Sequence, residues 1–203
     1  MVRHKIISGC DKMKIIGITG GSGAGKTTVC AELKKCGAVI VDADKISKEV
    51  TKKGSPALCE IEKAFGRQYV LPSGELDRKS LGKIVFSDDS KLEVLNKITH
   101  KHIYLKMEQE IENARSSVVV LDVPLLFGTD FPFQCDLTVA VVADKEERIR
   151  RIVARDGITR EMAEARIKNQ MSDDEYRALA DICFENDGDI PKIKAFAKEI
   201  CEK

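Results

Sequence analysis

The run Gly20-Gly21-Ser22-Gly23-Ala24-Gly25-Lys26-Thr27 constrains this chain more than any other feature, because it matches the pattern GxxxxGK[ST] in full. An apolar segment at residues 14–19 precedes it, and a segment with helical periodicity at residues 26–36 follows it. Glycines let the backbone curl so that successive N–H groups point inward, and the helix adds the positive end of its dipole. The order strand, loop, helix therefore predicts a phosphate-binding loop.

The side chains at the end of this loop predict how a nucleoside triphosphate is held. Lys26 can reach the β- and γ-phosphates, and the hydroxyl of Thr27 can ligate Mg²⁺. We expect the loop and the first helical turn to supply the nucleotide contacts, from Gly21, Ser22, Gly23, Ala24, Gly25, Lys26, Thr27 and Thr28.

Strands alternate with helices over most of the chain, which predicts an α/β fold: a three-layer core of the P-loop NTPase type with a mostly parallel sheet. The expected strands are residues 14–19, 38–41, 118–123, 137–142 and 181–184. Residues 45–114 contain only helical segments, which is too long for one crossover, so we predict an inserted helical domain there. The nucleotide-binding core then comprises residues 14–44 and 115–203, preceded by an N-terminal extension at 1–13.

Several helix starts carry capping signals. Ser55 precedes Pro56, which suits the first helical position. Ser90 with Glu93, and Ser172 with Glu175, each have the spacing of a capping box. We expect a long amphipathic helix after Ser90, with an apolar stripe that runs from residue 92 to residue 114.

Carboxylates follow two of the predicted strands. Asp42 and Asp44 follow the second strand, and both point to one side if strand geometry persists that far. Ligands of open α/β sheets bind beyond the carboxyl ends of the strands, so one of these two could accept a proton from an attacking hydroxyl. The alternative is that Asp44 caps a helix. Asp122 follows the third long apolar strand and is a candidate Mg²⁺ contact, with a turn-forming Asp before Pro124 as the alternative.

A helix predicted at residues 145–155 carries arginines along one face, at Arg148, Arg151 and Arg155. A second helix at residues 160–170 continues the basic character, so residues 145–175 could form a helical lid that brings cations to a transferring phosphoryl group. Acidic residues are interleaved, and a solvated face is the competing interpretation.

Composition excludes several other classes. The formal net charge of +1 gives no support to a nucleic-acid or membrane-surface role. The seven cysteines have no CxxC spacing and no zinc pattern, which favours reduced thiols in a cytoplasmic protein.

The N-terminal segment is short and polar, and either Met1 or Met13 could be the functional start. A GTPase should carry NKxD, but the chain has Asn96-Lys97-Ile98-Thr99 within a predicted helix.

Beyond the P-loop, residues 14–203 closely resemble the dephospho-CoA kinase family. The resemblance rests on several blocks in the same order, with two departures. Lys101 stands where the family usually has Pro, and Gly128-Thr129 follows the Leu-Leu-Phe block, where the family often has an acidic residue. The blocks include Val41-Asp42-Ala43-Asp44, Gly54-Ser55-Pro56-Ala57-Leu58, Gly74-Glu75-Leu76-Asp77-Arg78, Ile98-Thr99-His100, Asp122-Val123-Pro124-Leu125-Leu126-Phe127 and Arg155-Asp156-Gly157.

The resemblance implies transfer of the γ-phosphoryl group of ATP, with Mg²⁺, to the 3′-hydroxyl of dephospho-CoA, the last step of coenzyme A biosynthesis. It implies Asp44 as the general base and Arg151 as the lid arginine, beside Lys26. Contacts with the acceptor are implied at Thr19, Asp44, Arg78, His100 and Leu125. We expect a monomer or a weak oligomer with ATP and dephospho-CoA as its partners, and no nucleic acid or membrane. Another small-metabolite or nucleoside monophosphate kinase, and an ATP-gated interaction module without catalysis, remain open.

Overall fold

A computed structural model of the chain describes residues 13–128 and 131–202. The predicted N-terminal extension lies outside these residues except for Met13. A five-stranded sheet has the order β2-β3-β1-β4-β5. Its strands are β1 (Lys14–Thr19), β2 (Val39–Asp42), β3 (Val118–Asp122), β4 (Leu137–Val142) and β5 (Ile182–Glu185).

Parallel pairing places β1 at the centre of the sheet. Gly17 lies opposite Leu121 of β3 on one side and opposite Thr138 of β4 on the other, and β4 pairs with β5 in the same sense. Every residue of β3 and all but the first of β1 are buried, as expected for parallel strands covered on both faces. Because the strands are parallel, the carboxyl ends of β1, β3, β4 and β5 meet at one edge of the sheet.

The helices begin and end where local capping allows. They are α1 (Lys26–Lys35), α2 (Ala43–Val50), α3 (Pro56–Phe65), α4 (Arg78–Val85), α5 (Asp89–Glu112), α6 (Lys145–Asp156), α7 (Arg160–Lys168), α8 (Asp173–Leu179) and α9 (Ile190–Glu202), with a 3₁₀ turn at Arg67–Tyr69.

The chain divides into two compact units. The sheet unit contains the described residues up to Val41 and from Ala114 onward. In its core, Ile16 and Ile18 of β1 pack with Val29 and Leu33 of α1, in a cluster that also includes Ile193 of α9. This packing fixes the axis of α1 against the sheet, and so fixes the direction in which the turn before α1 points.

The helical unit spans Asp42–Asn113, and within it α2, α3 and α4 pack on α5. Ile61, Leu81 and Val85 form a buried cluster against apolar residues of α5, including Leu92 and Leu95. Extended backbone in this unit is limited, within the described chain, to one isolated bridge between Val70 and Leu76. The prediction that residues 45–114 contain no regular strand is confirmed.

Strand geometry does not persist through residues 42–44, which was the condition for both carboxylates to point to one side. Asp42 ends β2, and its carboxylate accepts a hydrogen bond from the Lys45 N–H at 2.9 Å, so Asp42 is the N-cap of α2. Asp44 is exposed in the first helical turn, where a negative charge suits the helix dipole. The capping residue of this helix is therefore Asp42, not Asp44.

Of the predicted capping signals, two are confirmed and one is wrong. Ser55 caps α3, and the reciprocal box of Ser172 and Glu175 opens α8. The helix after residue 88 is capped instead by Asp88, whose carboxylate accepts from the backbone N–H groups of Ser90 and Lys91. The predicted stripe extends past the helix end at Glu112, and only Met107 and Ile111 of α5 are buried.

Among the described residues, Cys30, Cys36, Cys59, Cys135, Cys183 and Cys201 are not joined in disulfides. Across residues 13–128 and 131–202, no helix has the length and apolarity needed to cross a membrane.

Candidate active site

The phosphate-binding loop lies between the end of β1 and the start of α1. Gly25 is the N-cap of α1 with a φ of 89°, a left-handed conformation that favours glycine. No side chain caps this helix end. Within the loop, the Ala24 N–H donates to the Gly21 carbonyl at 3.1 Å. The first N–H groups of α1 and the helix dipole are thus directed at the space above the loop, which is the arrangement that binds phosphate.

Lys26 and Asp122 form an ion pair at the carboxyl end of the sheet. Their side chains are 16% and 11% exposed. The second carboxylate oxygen of Asp122 lies 3.5 Å from the Cys30 sulfur. Lys26 begins α1 and Asp122 ends β3, so the pairing of β1 with β3 brings together two residues that are 96 positions apart. The structure therefore places a cation and a carboxylate, both predicted from sequence, at one point beside the loop.

Arg151 lies against the outer side of the loop. Its Nη1 donates to the carbonyls of Gly23 and Ala24 at 3.2 and 3.4 Å, and its Nε donates to Glu147 at 2.7 Å. A hydrogen bond from Arg150, together with one from Arg151, lowers the pKa of Glu147 to about 2. Glu147 therefore stays ionised and holds the Arg151 guanidinium next to the phosphate-binding loop.

Arg148 is buried, which the prediction of an arginine-rich face did not anticipate. Its Nε donates to the Ser22 carbonyl at 3.0 Å, and its Nη1 contacts Asp173 at 3.1 Å. Gln170 completes the group, because its Oε1 accepts from the Ser22 N–H and its Nε2 donates to the Ser22 hydroxyl, both at 2.9 Å. Side chains of α6 and of the segment between α7 and α8 thus hold the Ser22 peptide, and Asp173 of α8 holds Arg148.

Arg155, the third arginine of the predicted face, pairs with Asp156. Hydrogen bonds from Arg155 and then Arg166 hold the pKa of the Asp156 carboxyl well below its usual range. These groups belong to the solvated part of α6 and α7, so the competing interpretation of a solvated face is correct for Arg155.

Two of the implied acceptor contacts lie at the ends of β1 and β3. Thr19 is fully buried, and its hydroxyl donates to the Pro124 carbonyl at 2.9 Å, which ties the ends of the two strands together. Leu125 is 69% exposed, immediately after this tie. Thr19 therefore has a structural role. The exposed side chain of Leu125 offers a surface against which an apolar group could pack.

The other implied acceptor contacts, Asp44, Arg78 and His100, lie in the helical unit. Arg78 begins α4 and donates to the hydroxyl of Thr51, which in turn donates to the Ser47 carbonyl at 2.9 Å. This chain of hydrogen bonds fixes the Arg78 guanidinium over the end of α2.

His100 is exposed on α5 and stacks obliquely on Tyr104, with ring centroids 5.5 Å apart. The neighbouring His102 instead contacts Glu60 of α3 at 3.0 Å, and Lys101 contacts the same carboxylate at 2.9 Å. Hydrogen bonds from Lys101 and then His102 lower the pKa of Glu60. Lys101, which stands where the family usually has Pro, therefore links α5 to α3.

Sequence reasoning missed Asn186 and passed over Gln170 as a contact of the loop. Asn186 follows β5, and its Nδ2 donates to the Ala24 carbonyl at 2.7 Å. A polar residue directly after a strand is the one signal that could have found it, since such residues meet at the carboxyl edge of the sheet.

The sheet, the loop and the Lys26–Asp122 pair together define a P-loop nucleotide-binding fold. A shikimate kinase structure from Acinetobacter baumannii shares this fold, with a TM-score of 0.51 at 17% identity over 94% of this chain and 92% of that one.

Residues 14–192 match the family model for dephospho-CoA kinase, and the chain belongs to that family. A dephospho-CoA kinase from Thermobifida fusca is 39% identical over 93% of this chain and 94% of its own length. Among solved structures, TT1252 from Thermus thermophilus superposes with a TM-score of 0.82 at 33% identity, covering 95% of this chain and 98% of that one.

Proposed function

We propose that this chain is a dephospho-CoA kinase, which transfers the γ-phosphoryl group of ATP to the 3′-hydroxyl of the dephospho-CoA ribose and releases coenzyme A and ADP. The observation that carries the proposal is the family match over residues 14–192, which includes both the phosphate-binding loop and the helical unit. Kinase chemistry needs a site for the donor and a site for the acceptor, and the loop supplies the first.

On the donor side, the loop N–H groups and Lys26 bind the phosphates of ATP. Lys26 pairs with Asp122 in the free protein, so its ammonium group is already held beside the loop. The oxygen donors of Asp122 and of the exposed Thr27 hydroxyl suit Mg²⁺, which prefers oxygen ligands. Bound Mg²⁺ would neutralise charge on the phosphates.

The described residues contain no cluster of three or more His, Cys, Asp or Glu side chains that could hold a metal ion. This agrees with Mg²⁺ chemistry, because this ion is commonly bound by one or two carboxylates together with substrate phosphates and water.

On the acceptor side, we infer that the helical unit binds dephospho-CoA. The guanidinium of Arg78, held by Thr51, would contact a phosphate of the acceptor, and His100 would contact its less charged parts. Leu125, in the sheet unit, is a further proposed acceptor contact. Asp44 would accept the proton of the 3′-hydroxyl while that oxygen attacks the γ-phosphorus and the bond to the β-phosphate oxygen breaks.

We propose that α6 and α7 act as a lid, with Arg151 neutralising the transferring phosphoryl group. The guanidinium of Arg151 contacts the Gly23 and Ala24 carbonyls at 3.2 and 3.4 Å, on the outer side of the loop, and it would leave these carbonyls to reach the phosphoryl group. Arg151→Ala should lower kcat by about 10²-fold, because such cations act mainly in the transition state. Arg151→Lys, which keeps the charge but loses the planar set of N–H donors of the guanidinium, should recover part of the rate. A normal kcat in Arg151→Ala would remove this residue from the mechanism.

The reaction is tested by measuring ADP release with dephospho-CoA, AMP, adenosine and shikimate as acceptors, with chromatographic detection of coenzyme A. Turnover of dephospho-CoA alone is expected. Turnover of another acceptor without dephospho-CoA would assign a different kinase, and tight ATP binding with no transfer to any acceptor would indicate a binding module. We further propose that the enzyme is cytoplasmic, which cysteines outside disulfides support. We also propose that it acts as a monomer or a weak oligomer.

A further inference from the structure

Three successive carbonyl groups of the phosphate-binding loop point away from the phosphate side, toward side chains outside the loop. Each accepts a hydrogen bond: Ser22 from Arg148 Nε at 3.0 Å, Gly23 from Arg151 Nη1 at 3.2 Å, and Ala24 from Asn186 Nδ2 at 2.7 Å. We call these three donors the carbonyl brace.

The brace determines where the N–H groups of the loop point. A peptide group is planar and trans, so its C=O and the N–H of the next residue point in opposite directions. With the Ser22 and Ala24 carbonyls held outward, the N–H groups of Gly23 and Gly25 are turned to the inner side of the loop. Those inward N–H groups make the loop an anion-binding concavity.

The glycines of the loop make room for the brace. A Cβ atom at Gly21 would collide with the Arg148 guanidinium, and one at Gly25 would collide with the Asn186 amide. At Gly23 it would lie 2.6 Å from the Arg148 carbonyl oxygen. The missing side chains thus allow close approach on the outer side of the loop, where Arg148 and Asn186 lie.

Arg148 and Asn186 are themselves held rigidly, as positioning residues must be. Both are 3% exposed. Arg148 is fixed by Asp173 at 3.1 Å in addition to the loop. The Asn186 Oδ1 accepts from the Gly188 N–H at 3.1 Å, and its backbone N–H donates to the Val142 carbonyl at 2.8 Å. Neither side chain can swing away without breaking these bonds.

We propose that Arg148 and Asn186 are positioning residues, which hold the Ser22 and Ala24 carbonyls outward and so preorganise the loop for the nucleotide phosphates. The inference rests on the proposed binding of ATP at this loop. It assigns to these residues an effect on nucleotide phosphate binding and none on binding of the acceptor.

The test compares Arg148→Met and Arg148→Lys with a control on the same helix, Arg155→Met, whose wild-type side chain is 61% exposed. The readouts are the KM for ATP, the KM for dephospho-CoA, kcat, and the Kd of ADP measured by calorimetry. Arg148→Met should weaken ADP binding and raise the KM for ATP by about 10- to 100-fold, the effect of losing one charged hydrogen bond. Arg148→Lys should recover part of this loss, and the control should stay within about twofold of wild type.

Asn186→Asp provides a second test with almost no change in shape. A carboxylate cannot donate to the Ala24 carbonyl, so ADP binding should again weaken by about tenfold or more. The matched control is Asn96→Asp, on the exposed side of α5. Thermal melts followed by circular dichroism show the temperature range in which each variant is folded, and the binding and kinetic measurements are made below it.

Variants that melt at lower temperature yet bind ADP and ATP like wild type would overturn the proposal, because the two residues would then only stabilise the fold. An equal rise in the KM for dephospho-CoA would also overturn it. Failure of the proposed function can be told apart from failure of this inference. In the first case the wild-type protein would not convert dephospho-CoA, while the ADP binding measurements would still test the carbonyl brace.

Discussion

Replacing Lys26 with methionine should separate the structural role of this side chain from its catalytic role. Lys26 and Asp122 pair with side chains that are only 16% and 11% exposed. Removing the lysine leaves a carboxylate with little access to water beside the Cys30 sulfur, 3.5 Å away. The free energy of unfolding should therefore fall, in addition to the loss of phosphoryl transfer.

The expected loss of stability follows from the burial of this pair. Breaking a buried ion pair by removing one partner costs about 3–5 kcal/mol. Because both side chains keep some access to water, we expect a smaller loss, about 2–3 kcal/mol. For a chain of about 200 residues this corresponds to a fall in Tm of roughly 5–10 °C.

The assay is thermal unfolding by circular dichroism without nucleotide, in parallel with ADP release. Lys26→Met/Asp122→Asn should regain most of the lost stability, because no charge is then left unpaired, but it should stay inactive. Lys34→Met, an exposed lysine on the same helix, should change the free energy of unfolding by less than about 0.5 kcal/mol. A Lys26→Met protein as stable as wild type, or a double variant no more stable than the single one, would refute the reasoning.

Three further predictions concern the helical unit, the arginine helix and the thiols. Asp44→Asn should lower kcat sharply with little change in ATP binding. Asp42→Asn should have a nearly normal kcat, since asparagine caps helices equally well. If Asp42→Asn lowered kcat more than Asp44→Asn, the general base would be Asp42. The pKa of Glu147 is lowered to about 2 in the folded protein, so the ionised side chain stabilises the fold above its ordinary pKa of about 4.3. This contribution is lost as the pH falls toward 2. The difference in free energy of unfolding between wild type and Glu147→Gln should therefore shrink over that range. A constant difference would argue against an ionic role. Burial raises the pKa of Cys135 to about 11, so iodoacetamide at pH 8 should label it far more slowly than the exposed Cys36, as measured by peptide mass spectrometry; equal rates would contradict that burial.

Local capping signals predicted the starts of the helices only in part. Ser172 with Glu175 forms the predicted box, although Asp173 and Asp174 follow directly. Ser90 with Glu93 has the same spacing, but Asp88 lies two residues earlier and accepts both the Ser90 and the Lys91 N–H. When good capping residues lie so close together, their spacing alone does not decide between them.

The arginine face shows a different limit of sequence reasoning. Helical periodicity placed Arg148, Arg151 and Arg155 on one side of α6, but their surroundings differ: Arg148 is buried, Arg151 contacts loop carbonyls, and Arg155 pairs with Asp156. Periodicity gives the direction of a side chain around its helix. It says nothing about which element lies in that direction, so the distinction between a brace and a solvated face could not be predicted.

The sequence by itself determined the phosphate-binding loop and the chemistry it can hold, because the glycine pattern, Lys26 and Thr27 act within one turn of backbone between a strand and a helix. Only the tertiary structure decided what holds that loop in shape. Arg148 is 126 residues from Ser22, and Asn186 is 162 residues from Ala24. Contacts over such separations depend on the strand order β2-β3-β1-β4-β5, in which β4 and β5 lie on the same side of β1 and end at the edge of the sheet that carries the loop.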